Sequence, residues 1–328
     1  MNNADGLSES SKAFIKQSLQ ANTFHSEEQI QSLWGEQGCI VRLQTDSENN
    51  PSAILKLISI NQHAAHPRGW NTNRSFERKV RSYDVECVWY QNYARLCGEK
   101  CKVPVPLGVL IEKKKRLILL EDLSTDYPRI CSQLNVEQAC VCLGWLARFH
   151  AQFMSNKGLG LWDEGCYWHL DTRQDEYAAM EDGTIKKAAR ELDRRLRETP
   201  YQCLVHGDAK LANFCFSNDL NQVAAVDFQY VGRGCGMRDV AYFLGSCLTE
   251  SECAQHEKLL LDHYFTQLNH ALRTVMSRAE RQSLEAQWRA LYAIAWTDFY
   301  RFLLGWMPTH QKINSYTRLL AKQAISQL

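Results

Sequence analysis

The chain has 328 residues, 45% hydrophobic and 23% charged, the composition of an ordinary soluble globular protein with enough length for a large core and two lobes. Its 38 basic and 37 acidic residues leave a net charge of +1, so no field draws it to nucleic acid or to an anionic membrane. The 13 cysteines form no C-x-x-C pair, and reduced, buried thiols are expected in place of disulfides or structural zinc.

The first six residues carry no basic region leading into an apolar core, and the apolar run 117–120 stops at Glu121. Neither a secretory signal nor a membrane span is therefore expected, and the cytoplasm is the expected compartment. Residues 7–20 predict a short helix with Phe14, Ile15 and Leu19 on its apolar side. Leu33-Trp34, Gly35-Glu36-Gln37-Gly38 and residues 39–43 read as strand, glycine-containing turn and strand. After the turn Asn49-Asn50-Pro51, residues 53–58 form an apolar strand interrupted by one cation, Lys56. A lysine in such a row is either a strand-edge cation with a buried stem or a residue with a specific partner.

A long stretch over 61–82, containing Pro67-Arg68-Gly69-Trp70 and the cations Arg74, Arg78, Lys79 and Arg81, reads as a loop insertion. Val85, Val88, Trp89, Tyr93 and Leu96 then repeat at helical spacing, with Glu86 and Tyr90 on a neighbouring stripe. Residues 107–111 and 117–120 predict a strand pair around the exposed charged turn 112–116, and lead into Glu121-Asp122-Leu123.

From residue 124 the pattern is helical. Asn135-x-x-Gln138 opens a capped helix with Ala139, Leu143, Leu146 and Ala147 on its apolar face, ending at His150, which is expected to be a satisfied core histidine. Trp162 and Trp168 fall in a loop, followed by a basic helix over 186–197. Residues 213–216 and 223–228 predict two strands around the turn 217–222, which brings Asn213 and Asp227 to one edge. Two long helices close the chain, over 253–268 and, after the capping box Ser277-x-x-Glu280, over 284–304.

The densest chemistry lies in His206-Gly207-Asp208-Ala209-Lys210-Leu211-Ala212-Asn213 and Val226-Asp227-Phe228. Phosphoryl transfer of the kinase type needs a carboxylate to orient a hydroxyl, and an Asn and an Asp to hold magnesium against nucleotide phosphates. Asp208 and Asn213 stand at the H-x-D-x-x-x-x-N interval, and Asp227 ends a second apolar run.

On these residues, and on 53–56, 82–90 and 118–123, the chain resembles the aminoglycoside phosphotransferase and choline kinase superfamily, and within it the ecdysteroid-kinase-like small-molecule kinases. The resemblance implies an α+β, two-lobed, protein-kinase-like fold. A small antiparallel N-lobe sheet with one main helix would span 1–123, and a mostly helical C-lobe 124–328. ATP and Mg²⁺ are the implied cofactors. Asp208 would act as base, Lys210 reach the γ-phosphate, and Asn213 and Asp227 bind the metal. Lys56, held by Glu86, would meet the α- and β-phosphates. Gly35 and Gly38 would cover the phosphates, while Glu121 and Leu123 would belong to a hinge whose backbone holds the adenine. His206 is expected to fix the loop, and Asp239 either to brace it or to cap a helix. The basic stretch 61–82 resembles the insertion of the ecdysteroid-kinase-like branch, and as a loop it would act as a lid.

Gly207 stands where protein kinases carry Arg, and only eleven residues separate Asp227 from Asp239, with no A-P-E. A peptide-docking activation segment does not fit, so the expected partner is a small-molecule hydroxyl acceptor: an amino alcohol, a choline-like or aminoglycoside-like compound, or a sterol-like apolar alcohol. Trp288, Tyr292, Trp296, Phe299 and Leu303 share one helical face near Asp298 and Trp306. That face reads either as core or as an acceptor pocket suited to a cation or a large apolar alcohol. A nucleotide-binding pseudokinase used as an interaction module is the alternative reading, disfavoured by the intact Lys56, Glu86, Asp208, Asn213 and Asp227. A protein kinase is disfavoured by the short segment after Asp227.

Overall fold

Alternating buried and exposed residues build an antiparallel sheet from the first part of the chain. The computed structural model describes residues 7–33, 37–60 and 72–328. These fall into two units: one holds the described residues up to Leu96 together with Val103–Asp126, the other Cys97–Lys102 and Tyr127–Leu328.

The first unit contains helix α1 (Glu9–Leu19), strands β1 (Phe24–Ser32), β2 (Gly38–Thr45) and β3 (Ser52–Ser59), helix α2 (Asn73–Asn92), and strands β4 (Pro106–Ile111) and β5 (Lys115–Glu121). The strands run antiparallel in the order β1-β2-β3-β5-β4. Cys39, Val41 and Leu43 of β2, Ala53 and Leu55 of β3, and Leu117 and Leu119 of β5 bury one face against Ile15 and Leu19 of α1. That clustering is the period-2 alternation of a sheet meeting one stripe of a helix. Helix α2 lies against β4 and β5.

Three expectations are corrected in this unit. The first strand was expected at Leu33-Trp34, but β1 is the nine-residue stretch before it, polar and mostly exposed, with two irregularities in its pairing to β2. An edge strand with little to bury carries no apolar alternation to announce it. The stretch expected as a loop over 61–82 is helical from Asn73, capped by Thr72, whose hydroxyl accepts from the Ser75 N–H at 3.1 Å. Its first turns are rich in cations, which hid the helix, yet Arg78 and Ser82 are buried. Leu96, expected on the buried face, lies past the end of α2 and is 53% exposed. Residues 61–71, Trp34 of the expected strand, and Gly35 and Glu36 of the expected glycine turn lie outside the described residues.

The second unit runs β6 (Arg129–Ile130), α3 (Val136–Gln152), α4 (Gln174–Ala179), α5 (Thr184–Arg197), β7 (Cys203–Val205), β8 (Phe214–Phe216), β9 (Val223–Ala225), β10 (Gly232–Gly234), α6 (Met237–Cys247), α7 (Glu250–Leu272), α8 (Arg278–Trp306) and α9 (Ser315–Ser326). Its strands form two small sheets, β6-β8-β9 and β10-β7. Reciprocal side-chain and backbone bonds between Asn135 and Gln138, Thr249 and Glu252, and Ser277 and Glu280 open α3, α7 and α8. The fold is thus α+β, with an antiparallel sheet unit and a mostly helical unit. All 13 cysteines are free thiols, and among the described residues no helix is long and apolar enough to cross a membrane.

The aromatic face of α8 is packed into the core at Trp288, Tyr292 and Trp296. Trp288 is fully buried with its ring edge-on to His150, and Trp296 donates its indole N–H to the Thr317 hydroxyl at 2.9 Å. Asp298 is no cation receptor either: it is fully buried and accepts from Arg301 Nε at 2.8 Å, while Arg301 also donates to the Trp168 carbonyl at 2.8 Å. A buried ion pair is expensive to half-dismantle, because the survivor is left charged in a poor solvent. Arg301→Met is therefore predicted to destabilise the protein by about 3–5 kcal/mol, and Asp298→Leu/Arg301→Met by much less. Urea unfolding checks this, and a double variant as unstable as the single one contradicts it.

Candidate active site

Strand β7 delivers the chain into His206-Gly207-Asp208, and the loop is fixed from below by one buried carboxylate. Asp239, in the first turn of α6, accepts from the His206 N–H at 2.6 Å and from the Gly207 N–H at 2.9 Å. It also meets His150 Nε2 at 3.1 Å, and His150 Nδ1 lies 2.7 Å from the Tyr264 hydroxyl. Asp239 is thus a brace, and His150 the satisfied core histidine expected. On the other side of the loop His206 Nε2 lies 3.0 Å from the Val226 carbonyl, which ties the stretch carrying Asp208 to the segment carrying Asp227. Gly207 has φ +78, and a Cβ there would stand 2.0 Å from the Tyr230 carbonyl oxygen. Backbone geometry alone therefore excludes the arginine of protein kinases.

Asp208 is buried, and two side chains converge on it. Lys210 Nζ lies 2.9 Å from its Oδ2, and Asn213 Nδ2 donates to its carbonyl at 2.8 Å and to Oδ2 at 3.2 Å. With its amide nitrogen so committed, Asn213 has its Oδ1 left for another partner. Burial pushes the Asp208 carboxyl up, opposed by Lys210 and reinforced by Asp227. Burial would lower the Lys210 ammonium, but Asp208 and Asp227 outweigh it and raise the group. The Val226 N–H donates to the Asn213 carbonyl at 3.0 Å, so the hairpin of β8 and β9 joins these segments as the spacing implied. Asp227 itself has φ +68, a left-handed conformation costly for a residue with a Cβ. Such strain concentrates at functional positions.

In the first unit Lys56 and Glu86 meet with both carboxylate oxygens in reach, at 2.8 Å and 2.7 Å from Nζ. Both side chains are buried, so Lys56 is no strand-edge cation snorkelling to water. Glu121 bonds to Val105, its carboxylate accepting from the Val105 N–H at 2.8 Å, and Leu123 is buried beyond the end of β5. Gly38 has φ +134, and a Cβ there would reach 1.9 Å from the Leu57 carbonyl oxygen. The sheet itself requires that glycine.

Sequence reasoning missed a knot of charge beside Asp239. His169 Nε2 lies 2.5 Å from Glu164 and 3.4 Å from Asp193, and Arg238 reaches the same two carboxylates at 3.2 Å and 3.5 Å. Burial would lower His169, but hydrogen bonds to Asp193 and Glu164 override it and bring its pKa to about 9. A histidine with two carboxylates is a conceivable metal set, yet here the guanidinium already sits on both acids. The three residues come from a loop and from α5 at no characteristic spacing. Only the adjacency of Arg238 to Asp239 pointed towards them. Tyr167, Tyr242 and Lys312, whose charges or hydroxyls interact with Asp208, were missed for the same reason.

Asp239→Asn keeps the shape of the brace but turns one of its two acceptor atoms into a donor facing an N–H. It is predicted to lose about 1–3 kcal/mol, since a buried donor is left unsatisfied. Hydrogen exchange should speed up at His206 and Gly207 more than in α8. Unchanged protection of those two amides would sink the assignment.

The ecdysteroid kinase-like family model matches residues 164–277, a segment that includes Asp208, Lys210, Asn213, Asp227 and Asp239. No curated protein matches significantly. Among solved structures, the chain is similar to an aminoglycoside-3'-phosphotransferase of type VIII at 15% identity, over 87% of this chain and 100% of that one, with a TM-score of 0.45. It is similar to an ethanolamine kinase of Plasmodium vivax at 12% identity, over 98% and 84% of the two chains, with a TM-score of 0.48. A choline/ethanolamine kinase family protein of Mesorhizobium loti aligns at 11% identity, over 92% and 85%, with a TM-score of 0.41. The ecdysteroid-kinase-like resemblance read from the sequence motifs is thus also what the family model finds over residues 164–277.

Proposed function

We propose that the chain is an ATP-dependent O-phosphotransferase that moves the γ-phosphate onto a hydroxyl of a small molecule. The observation that carries this reading is the Asp208 carboxylate, buried and bonded to Lys210 and Asn213 on a loop braced by Asp239. Oδ1 of Asn213 and the carboxylate of Asp227 are hard oxygen donors, the chemistry that suits Mg²⁺. Bound there, the metal would neutralise charge on the nucleotide phosphates.

Asp208 orients the acceptor and takes its proton as the acceptor oxygen bonds to the γ-phosphorus and the bond from that phosphorus to its bridging oxygen breaks, releasing ADP. Lys210 holds the Asp208 carboxylate in place and offers a positive charge to the group in transfer. Lys56, fixed by Glu86, meets the α- and β-phosphates. A pseudokinase is the weaker reading, because Lys56, Glu86, Asp208, Asn213 and Asp227 each keep the functional residue. A protein kinase is weaker still: α6 begins at Met237, ten residues after Asp227, with no room for a peptide-docking segment. The 13 free thiols suit the reducing cytoplasm, where we place the enzyme. A phosphorylation screen over amino alcohols, aminoglycosides and sterols tests the activity.

Asp208→Ala is predicted to abolish transfer while ATP binding survives, since the base touches the acceptor and not the purine. Removing a positioned base should cost about 10²-fold or more in kcat. Activity within tenfold of the parent would contradict the role. Asp227→Ala should instead lose Mg²⁺-dependent ATP binding, read by calorimetry, and an unchanged affinity would rule out the metal assignment.

Lys56→Ala and Glu86→Ala are each predicted to depress kcat/KM for ATP, and the double variant to be much less than additive, because the two residues serve one contact. Additive losses would separate them.

A further inference from the structure

Lys312, in the loop between α8 and α9, is a partly buried cation whose charge is not matched. Its ammonium stands over the rings of Tyr242, at 4.9 Å from the centroid, and Phe299, at 5.5 Å. Among the described residues no carboxylate comes within ion-pair distance of it; Asp208 and Lys210 are near enough for their charges to be felt. Burial lowers its pKa to about 8, so it remains charged at neutral pH in a poorly solvated place. Buried charges are ordinarily paired, and rings compensate only part of the lost hydration. The Tyr242 ring beneath Lys312 also belongs to the surroundings of Asp208, as does Tyr167, whose ring lies edge-on to it at 5.4 Å.

A cationic acceptor would find no welcome here. Asp298, the carboxylate among the aromatic residues of α8, is spent on Arg301, and a second cation, Lys210, stands at the reacting hydroxyl's base. Like charges in one pocket reject a partner as effectively as opposite charges attract one.

We propose that Lys312, with the Tyr242 and Phe299 rings beneath it, forms the acceptor subsite, and that it selects an alcohol whose apolar or aromatic body carries an anionic oxygen group, a carboxylate or a sulfonate-like group, over a cationic amino alcohol. The inference rests on the phosphotransferase reading of the same site and narrows its acceptor. The two nearly buried rings form the apolar floor on which the ammonium stands, the ammonium fixes the anionic end, and the hydroxyl is left to Asp208.

The test uses four matched probes with the full chain and Mg²⁺·ATP: 4-(hydroxymethyl)benzoate, 4-(hydroxymethyl)benzenesulfonate, 4-methylbenzyl alcohol and 4-(aminomethyl)benzyl alcohol. Phosphorylated product is measured by mass spectrometry, and binding in the presence of Mg²⁺·ADP by saturation-transfer NMR. The anionic probes are expected to exceed the neutral one by roughly tenfold in kcat/KM, the worth of one charge-assisted contact, with the amine poorest. Lys312→Gln, checked for folding by thermal melting, should collapse that ratio towards one, and Lys312→Arg should retain part of it. The two anionic arms separate a carboxylate preference from a sulfonate one. A parent enzyme that turns over the four probes alike or favours the amine, or a Gln variant that keeps the ratio, overturns the subsite while leaving phosphotransfer intact. If no probe is phosphorylated, anion-selective binding lost in Lys312→Gln supports the subsite and counts against phosphotransfer, and binding without charge preference overturns the subsite.

Discussion

Two backbone N–H groups sharing one buried carboxylate hold the centre of this molecule together. Asp239 accepts from His206 and Gly207, and the geometry of Asp208 follows from that grip. A buried carboxylate with good donors is stable; one with a donor missing is among the more costly defects a core can hold. The loop is thereby set as rigidly as the helix that supplies Asp239. His150 and Tyr264 extend the network into α3 and α7, so three helices share the task of holding the stretch at Asp208. Next to it Arg238 and His169 meet Glu164 and Asp193 in one knot of charge, which anchors the loop carrying Tyr167 to α5 and α6.

The first unit uses the same economy of means. Lys56 and Glu86 are 30 positions apart and both buried, and each is tolerable in the core only because of the other. The pair also keys the facing side of α2 to β3, a register function that hydrophobic packing alone specifies less sharply.

Much of this was legible because the chemistry is local in sequence. Asp208, Lys210 and Asn213 lie within one turn of chain, and the interval that places them is a property of the loop itself. Capping boxes at Asn135 and Ser277 are equally local, and both open helices where the sequence puts them. The failures share the opposite character. Strand β1 buries almost nothing, so no periodicity records it, and the start of α2 hides behind cations whose aliphatic stems, as at Arg78, do the burying. The residues around Asp208 from elsewhere, Tyr167, Tyr242 and Lys312, are brought there only by the tertiary fold. Asp298 misled because a carboxylate among aromatics resembles a receptor for cations until its arginine, one helical turn away, is seen to hold it.

The glycine before Asp208 has a consequence for control. With φ +78 and the Tyr230 carbonyl pressed against it, Gly207 cannot be exchanged for an arginine without rebuilding the turn. The step by which many signalling enzymes acquire responsiveness, a cation beside the catalytic aspartate waiting for a phosphorylated segment, is closed to this chain by its backbone. The loop that carries Asp208 is therefore held in one shape by its own backbone and by Asp239, and no switch of that kind is open to it at this position.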